Sequence, residues 1–145
     1  MHEQNLQNQE HFDELVQNWI LFYEKSQTAN ATDDRGSWPE FSACEDFYRI
    51  SRTKANLALT LIQSVLEQSD NEYVLENLAA GPLEILLSKN GTEIIESVQE
   101  LAKKNDRFKW LLAGVWQNSM QTNIWERVQI ASQDTPEKIP ARVFR

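Results

Sequence analysis

The segment Leu75-Glu76-Asn77-Leu78-Ala79-Ala80-Gly81-Pro82-Leu83-Glu84-Ile85-Leu86-Leu87 constrains this chain more than any other. Apolar residues recur at helical spacing on both sides of Gly81-Pro82, and no polar loop separates the two runs. Glycine readily takes the left-handed conformation that closes a helix, and proline suits the first turn of the next, where its missing N–H costs nothing. One helix is therefore expected to end at Gly81 and another to open at Pro82, with the corner lying against a core.

Composition points the same way. Four Gly and four Pro in 145 residues, with abundant Leu, Ile, Ala, Glu and Gln, favour helices over a turn-rich β fold. A chain of this length forms one domain and buries roughly 68–70% of the surface that its unfolded form exposes. Apolar residues at 41%, with five Trp and six Phe, supply the core and exclude global disorder.

Residues 1–10 are polar and expected to be flexible. Phe12, Leu15, Val16, Trp19, Ile20, Phe22 and Tyr23 predict a first amphipathic helix from His11 to Lys25. Residues 26–36 read as the longest loop. Ser37-Trp38-Pro39-Glu40 has the form of a capping box, opening a helix that points Phe41, Cys44, Phe47 and Tyr48 inward. Trp38, beside the loop, is the tryptophan expected to be exposed. From Lys54 to Glu67 apolar residues wrap most of the helix and leave one polar strip (Asn56, Thr60, Gln63, Ser64, Glu67), which predicts the central, most buried helix.

Ser69-Asp70-Asn71-Glu72 is a second capping box, opening the short helix that ends at Gly81. After Pro82 a helix is expected to stop at Asn90-Gly91. The next buries Ile94, Ile95, Val98, Leu101 and Ala102. Phe108, Leu111, Leu112, Val115 and Trp116 make another, and Asn123-Ile124-Trp125-Glu126 caps a last one with Val128 and Ala131 inward. Residues 133–145, with Pro136 and Pro140, should be extended. No strand-like alternation and no fixed repeat occurs. The fold expected over residues 11–132 is all-α, a single compact domain of about six to seven short helices packed as irregular hairpins.

The run Leu78-Ala79-Ala80-Gly81-Pro82-Leu83-Glu84-Ile85-Leu86-Leu87 resembles the signature of a small bacterial all-helical family classed as a domain of unknown function, usually Gly-Ala-Gly-Pro-Leu-Glu-Asp-Leu-Leu. Two further segments agree in order and spacing: the glycine-led acidic helix from Gly91 through Glu96, and Asp106-Arg107-Phe108 followed by Leu111-Leu112-Ala113-Gly114-Val115-Trp116, with Trp125 beyond. The likeness covers residues 54–128. The chain departs from it at Ala79, where Gly is usual, and at Ile85, where an acid is common. The resemblance implies an α fold and a bacterial origin, and no activity.

The net charge of −8 is uneven. Ten acids and three bases give −7 over residues 1–51, eight and three give −5 over 52–101, and four and eight give +4 over 102–145. An acidic body lacks the basic footprint that DNA or a membrane surface requires. Lys103, Lys104, Arg107 and Lys109 around Trp110 read as a helix end complemented by cations, then an ordinary charged face, rather than a nucleic-acid patch. The single cysteine, Cys44, excludes an internal disulfide and reads as a buried small residue rather than a nucleophile. The N-terminus has neither a basic region nor an apolar run, and no stretch approaches the ~20 apolar residues of a bilayer span. A soluble cytoplasmic protein is expected. His2 and His11 have no partner at ligand spacing, so neither a metal nor a cofactor is expected.

Two candidate sites remain. Glu93, Glu96 and Glu100 line one face of their helix, with Glu67 and Glu76 in a second acidic group, and together they could meet a basic partner. Glu84, at the first turn after Gly81-Pro82, reads first as a helix cap and second as a ligand or catalytic carboxylate beside the corner. The leading expectation is a non-enzymatic, acidic protein-binding domain, of the kind that neutralises a basic toxin effector as a bacterial immunity or antitoxin-like protein. The alternatives are a small-ligand-binding or enzymatic domain with a pocket at the Gly81-Pro82 corner, and a regulatory homodimer using an apolar face around Trp110 and Trp116.

Overall fold

The computed structural model describes residues 2–142, with side chains from Gln9 onward. Within them the chain forms α1 (His2–Thr28), a 3-10 turn (Arg35–Ser37), α2 (Phe41–Thr53), α3 (Ala55–Gln68), α4 (Glu72–Leu78), a π turn (Ala79–Leu83), α5 (Glu84–Lys104), α6 (Asp106–Leu112) and α7 (Thr122–Ala131). No strand occurs among the described residues, so the fold is all-α. Two helices are longer than expected. Helix α1 has 27 residues, its backbone already helical at His2, and α5 has 21. Residues 135–142 carry no helix or strand, and residues 143–145 of the expected tail lie outside the described residues.

Helix α3 is the hub. Ala58, Leu61, Ile62, Val65 and Leu66 are wholly buried, and the helix packs on α1, α2, α4, α5 and α6. Its inward face is narrower than its composition implied, because Leu57 is 38% exposed. Helix α1 adds an aromatic cluster in which Trp19 stacks within 4.4 Å of Tyr23, 4.8 Å of Phe47 and 5.4 Å of Tyr48.

Helix ends differ from expectation where a side chain is diverted to tertiary contacts. Ser37 does not cap α2. Its hydroxyl donates to the Asp34 carbonyl at 2.7 Å, closing the 3-10 turn. Glu40 sits at the N-cap of α2 without a capping bond, its carboxylate taken by Lys25 Nζ at 3.0 and 3.3 Å. Lys25 also covers the Trp38 ring, which packs on Phe22, so Trp38 is half-buried rather than exposed. Asn71 alone caps α4, accepting from the Tyr73 and Val74 N–H groups. Asp70 is drawn away to Arg107. Helix α6 stops at Leu112, leaving Val115 and Trp116 in a loop, and α7 begins after Gln121, so Asn123 lies inside it.

The Gly81-Pro82 corner is not a break. Its backbone is flanked by right-handed helical residues, no described glycine has a positive φ, and the Glu84 N–H reaches back to the Ala79 carbonyl. Pro82 has no N–H to offer, and its ring would collide with the carbonyl four residues earlier in a regular α-helix. The wider π turn makes room for it. Gly81 is needed for space instead: a Cβ there would lie 2.9 Å from the Tyr48 hydroxyl oxygen. Asn90 likewise kinks α5 (φ −131°, ψ 24°) rather than ending it. Its Nδ2 donates to the Ser51 and Arg52 carbonyls at the end of α2, 3.1 Å from each.

Candidate functional site

Glu93, Glu96 and Glu100 are exposed along the outer side of α5, whose opposite side buries Ile94, Ile95, Val98 and Ala102. The stripe is partly neutralised. Glu100 faces Lys104 Nζ at 3.6 Å and Lys103 Nζ at 3.9 Å, both exposed, where ion pairs hold little energy. Among the described residues neither Glu93 nor Glu96 has a cation within salt-bridge distance. Lys89 precedes Glu93 by four residues, but the Asn90 kink interrupts the helical register between them.

The other two acids stand elsewhere. Glu67 is exposed near the end of α3. Glu76 projects from α4 into a cavity of about 300 Å³. Leu75 and Ala79 form one wall of that cavity, and Trp110, Leu111, Ala113 and Gly114 form the facing wall. Thr135, Pro136 and Glu137 close it from the C-terminal segment. The two runs that carry the family likeness thus meet here: a Cβ on Gly114 would lie 3.3 Å from that of Ala79. Glu137 had no signal in the sequence, because only the folded tail brings it to the cavity that Glu76 lines.

Glu84 does not cap a free helix end, since the π turn runs into α5. Its carboxylate accepts from the Trp116 N–H at 3.1 Å and from Asn118 Nδ2 at 2.7 Å. It pins the loop after α6, in which Asn118 takes a left-handed φ of 42°. Neither Glu84 nor Gly81 nor Pro82 is among the residues lining the cavity, which therefore lies beside α4 and α6 and not at the Gly81-Pro82 corner where a pocket was expected. Trp116, carried on that pinned loop, is 72% exposed, whereas Trp110 is half-buried in the cavity wall.

Arg107 is no part of a basic surface. It is 2% exposed. Its guanidinium donates to the carbonyls of Leu66 (2.8 Å), Ser69 (2.6 Å) and Pro140 (3.0 Å) and to Asp70 Oδ1 (2.9 Å). One side chain therefore ties the end of α3 and the start of α4 to the C-terminal segment, with Arg142 adding a second bond to Asp70.

Behind the corner lie the buried titratable groups. Tyr23 and Tyr48 share a 2.8 Å hydrogen bond. Burial pushes both phenols up, and for Tyr23 the bond to Tyr48 adds to the effect. Burial, followed by the charge of Glu40, pushes the Cys44 thiol up to about 12, which leaves it without nucleophilic character at neutral pH. Burial alone would raise Glu40. Its bonds to Lys25 and to its own backbone, with the Lys25 charge, outweigh that and hold the carboxyl below its ordinary value.

A family model described as a family of unknown function, DUF6869, matches residues 26–135. The chain belongs to this DUF6869 family. The DUF6869 match takes in the α4 and α6 walls of the cavity and the whole α5 stripe, while most of α1 precedes it and Pro136 and Glu137 follow it. No curated protein and no solved structure matches the chain. No helix among the described residues is long and apolar enough to cross a membrane.

Proposed function

We propose that this DUF6869 member is a non-enzymatic, cytoplasmic protein-binding domain whose acidic surface takes a basic protein, and that it serves a bacterial host as an immunity or antitoxin-like protein against a basic effector. The observation that carries the reading is the outer face of α5. Glu93 and Glu96 stand exposed and unbridged on a helix fixed by its buried side, within a chain of net charge −8. Carboxylates held this way speed encounter with a basic surface and select against acidic ones. The bacterial setting rests on the Gly81-Pro82-Leu83-Glu84 signature.

The test starts with the purified tagged protein in its host's lysate at low and moderate salt. One stoichiometric basic protein is expected, released when Glu93, Glu96 and Glu100 are replaced by Gln, and toxic when expressed without this chain. No basic partner at either salt, or one indifferent to the three substitutions, overturns the reading. The cavity between α4 and α6 favours a second reading, a small-ligand site bounded by Ala79 and Trp110, in which Gly81, Pro82 and Glu84 take no part. Trp116 favours a homodimer, which a strictly monomeric light-scattering mass would remove.

A further inference from the structure

We infer that the cavity between α4, α6 and the C-terminal segment receives an arginine side chain of the basic partner, an inference that rests on the protein-binding reading above. The cavity itself carries the argument. Its floor is the packed core at Leu75, Ala79 and Leu111, each nearly inaccessible, and the apolar surface it offers is chiefly the half-buried indole of Trp110. The charged groups lining it are Glu76 and Glu137, and no lysine or arginine does. An arginine combines the two properties that this lining asks for, an apolar stem and a cationic head. Its planar guanidinium stacks on an indole and pairs with carboxylates in a fixed fork, which an ammonium cannot match.

The volume of about 300 Å³ suits one long side chain, at the lower limit of what small-molecule sites occupy. The site is also preformed. Arg107 holds the Pro140 carbonyl and Arg142 holds Asp70, so the tail carrying Glu137 is fastened beside the cavity that Glu76 also lines before any ligand arrives.

The experiment titrates the full-length ¹⁵N-labelled chain with the blocked peptide acetyl-Gly-Gly-Arg-Gly-Gly-amide, and separately with its citrulline counterpart, which keeps shape and loses charge. The indole N–H resonance of Trp110, assigned with Trp110→Phe, is the readout. A saturable shift is expected for the arginine peptide, with about tenfold weaker response to citrulline and to the Glu76→Gln/Glu137→Gln protein. Both glutamates are exposed, so that variant keeps its fold, as its amide spectrum would verify. Equal response to both peptides, a response elsewhere on the chain, or no response overturns the inference. A basic partner that loses affinity on substitution of Glu93 and Glu96, but not of Glu76 and Glu137, would leave the protein-binding reading intact and remove this site alone.

Discussion

Gly81 and Arg107 show how far a residue's task can lie from its local signal. In the sequence Gly81 reads as a left-handed cap, yet its φ is not positive and it serves as a gap for Tyr48. The consequence is specific: in Gly81→Ala the new methyl would press on the Tyr48 hydroxyl and Cε1, 2.9 and 3.0 Å away. That ring is held by the hydrogen bond of its hydroxyl to Tyr23 and by its edge contact with Trp19. A loss of about 1–3 kcal/mol is expected, as for overpacking elsewhere, whereas a true left-handed cap would be strained for a different reason and without involving Tyr48. Urea denaturation of Gly81→Ala in wild-type and Tyr48→Ala backgrounds separates the two, since removing the ring should erase most of the cost. Arg107 is the converse case, a residue with an ordinary surface signal and a buried task. Arg107→Lys keeps the charge but cannot serve three carbonyls in two directions. It should lose about 3 kcal/mol, close to Arg107→Met, because the stranded Leu66 and Ser69 carbonyls dominate the cost. The Asp70 pair adds little, its carboxylate side being 67% exposed. Lysine restoring most of the stability would show that charge, not the fork, matters.

Among the elements, the loop between α6 and α7 is buried at Val115 and Met120 and closed by the Met120 N–H on the Gln117 carbonyl, and the Glu84 carboxylate ties its exposed part to α5. Glu84→Ala removes the acceptor for the Trp116 N–H and for Asn118 Nδ2, with a cost of about 1–2 kcal/mol. The Trp116 amide should then exchange much faster with solvent while core amides of α3 keep their protection. Unchanged exchange at Trp116 would mean that the loop is held by something else. The helices with strong apolar periods, α3 and the second half of α5, were legible from spacing alone. Those whose limits depend on distant partners were not: Ser37 and Asp70 look like caps until Asp34 and Arg107 claim them. Pro82 and Asn90-Gly91 look like stops because proline and glycine usually are. Here a π turn absorbs the first, and two α2 carbonyls support the kink at the second. The candidate site divides in the same way. The α5 stripe follows from helical spacing, but Glu137 and Glu76 lining one cavity is a product of tertiary structure, and so is the burial of Trp38 against Phe22 in contrast to the exposed Trp116.

At the scale of the whole molecule the buried groups set a stability maximum near neutrality and fix the sign of its fall on each side. Glu40 has a folded value below its ordinary 4.5. Its contribution is therefore present above that value and is lost as pH falls through the lower, folded one. Cys44 behaves oppositely. Its thiol titrates near 9.0 when the chain is unfolded and about 12 when folded. Below pH 9 both states hold the proton, so the thiol adds no pH dependence. Between 9 and 12 the unfolded state alone releases it, and stability falls by about 1.4 kcal/mol per pH unit. Tyr23 and Tyr48, raised in the same direction by burial, join only above their ordinary 10.0. The interval from pH 9 to 10 thus isolates the thiol from the buried phenols. Urea midpoints of the wild type and Cys44→Ala, measured from pH 7 to 10, should show wild-type stability falling faster from pH 9 upward, narrowing any advantage over the alanine variant by about 1 kcal/mol by pH 10. Parallel curves across that interval would mean that the folded thiol ionises as easily as the unfolded one, and that Cys44 is open to water.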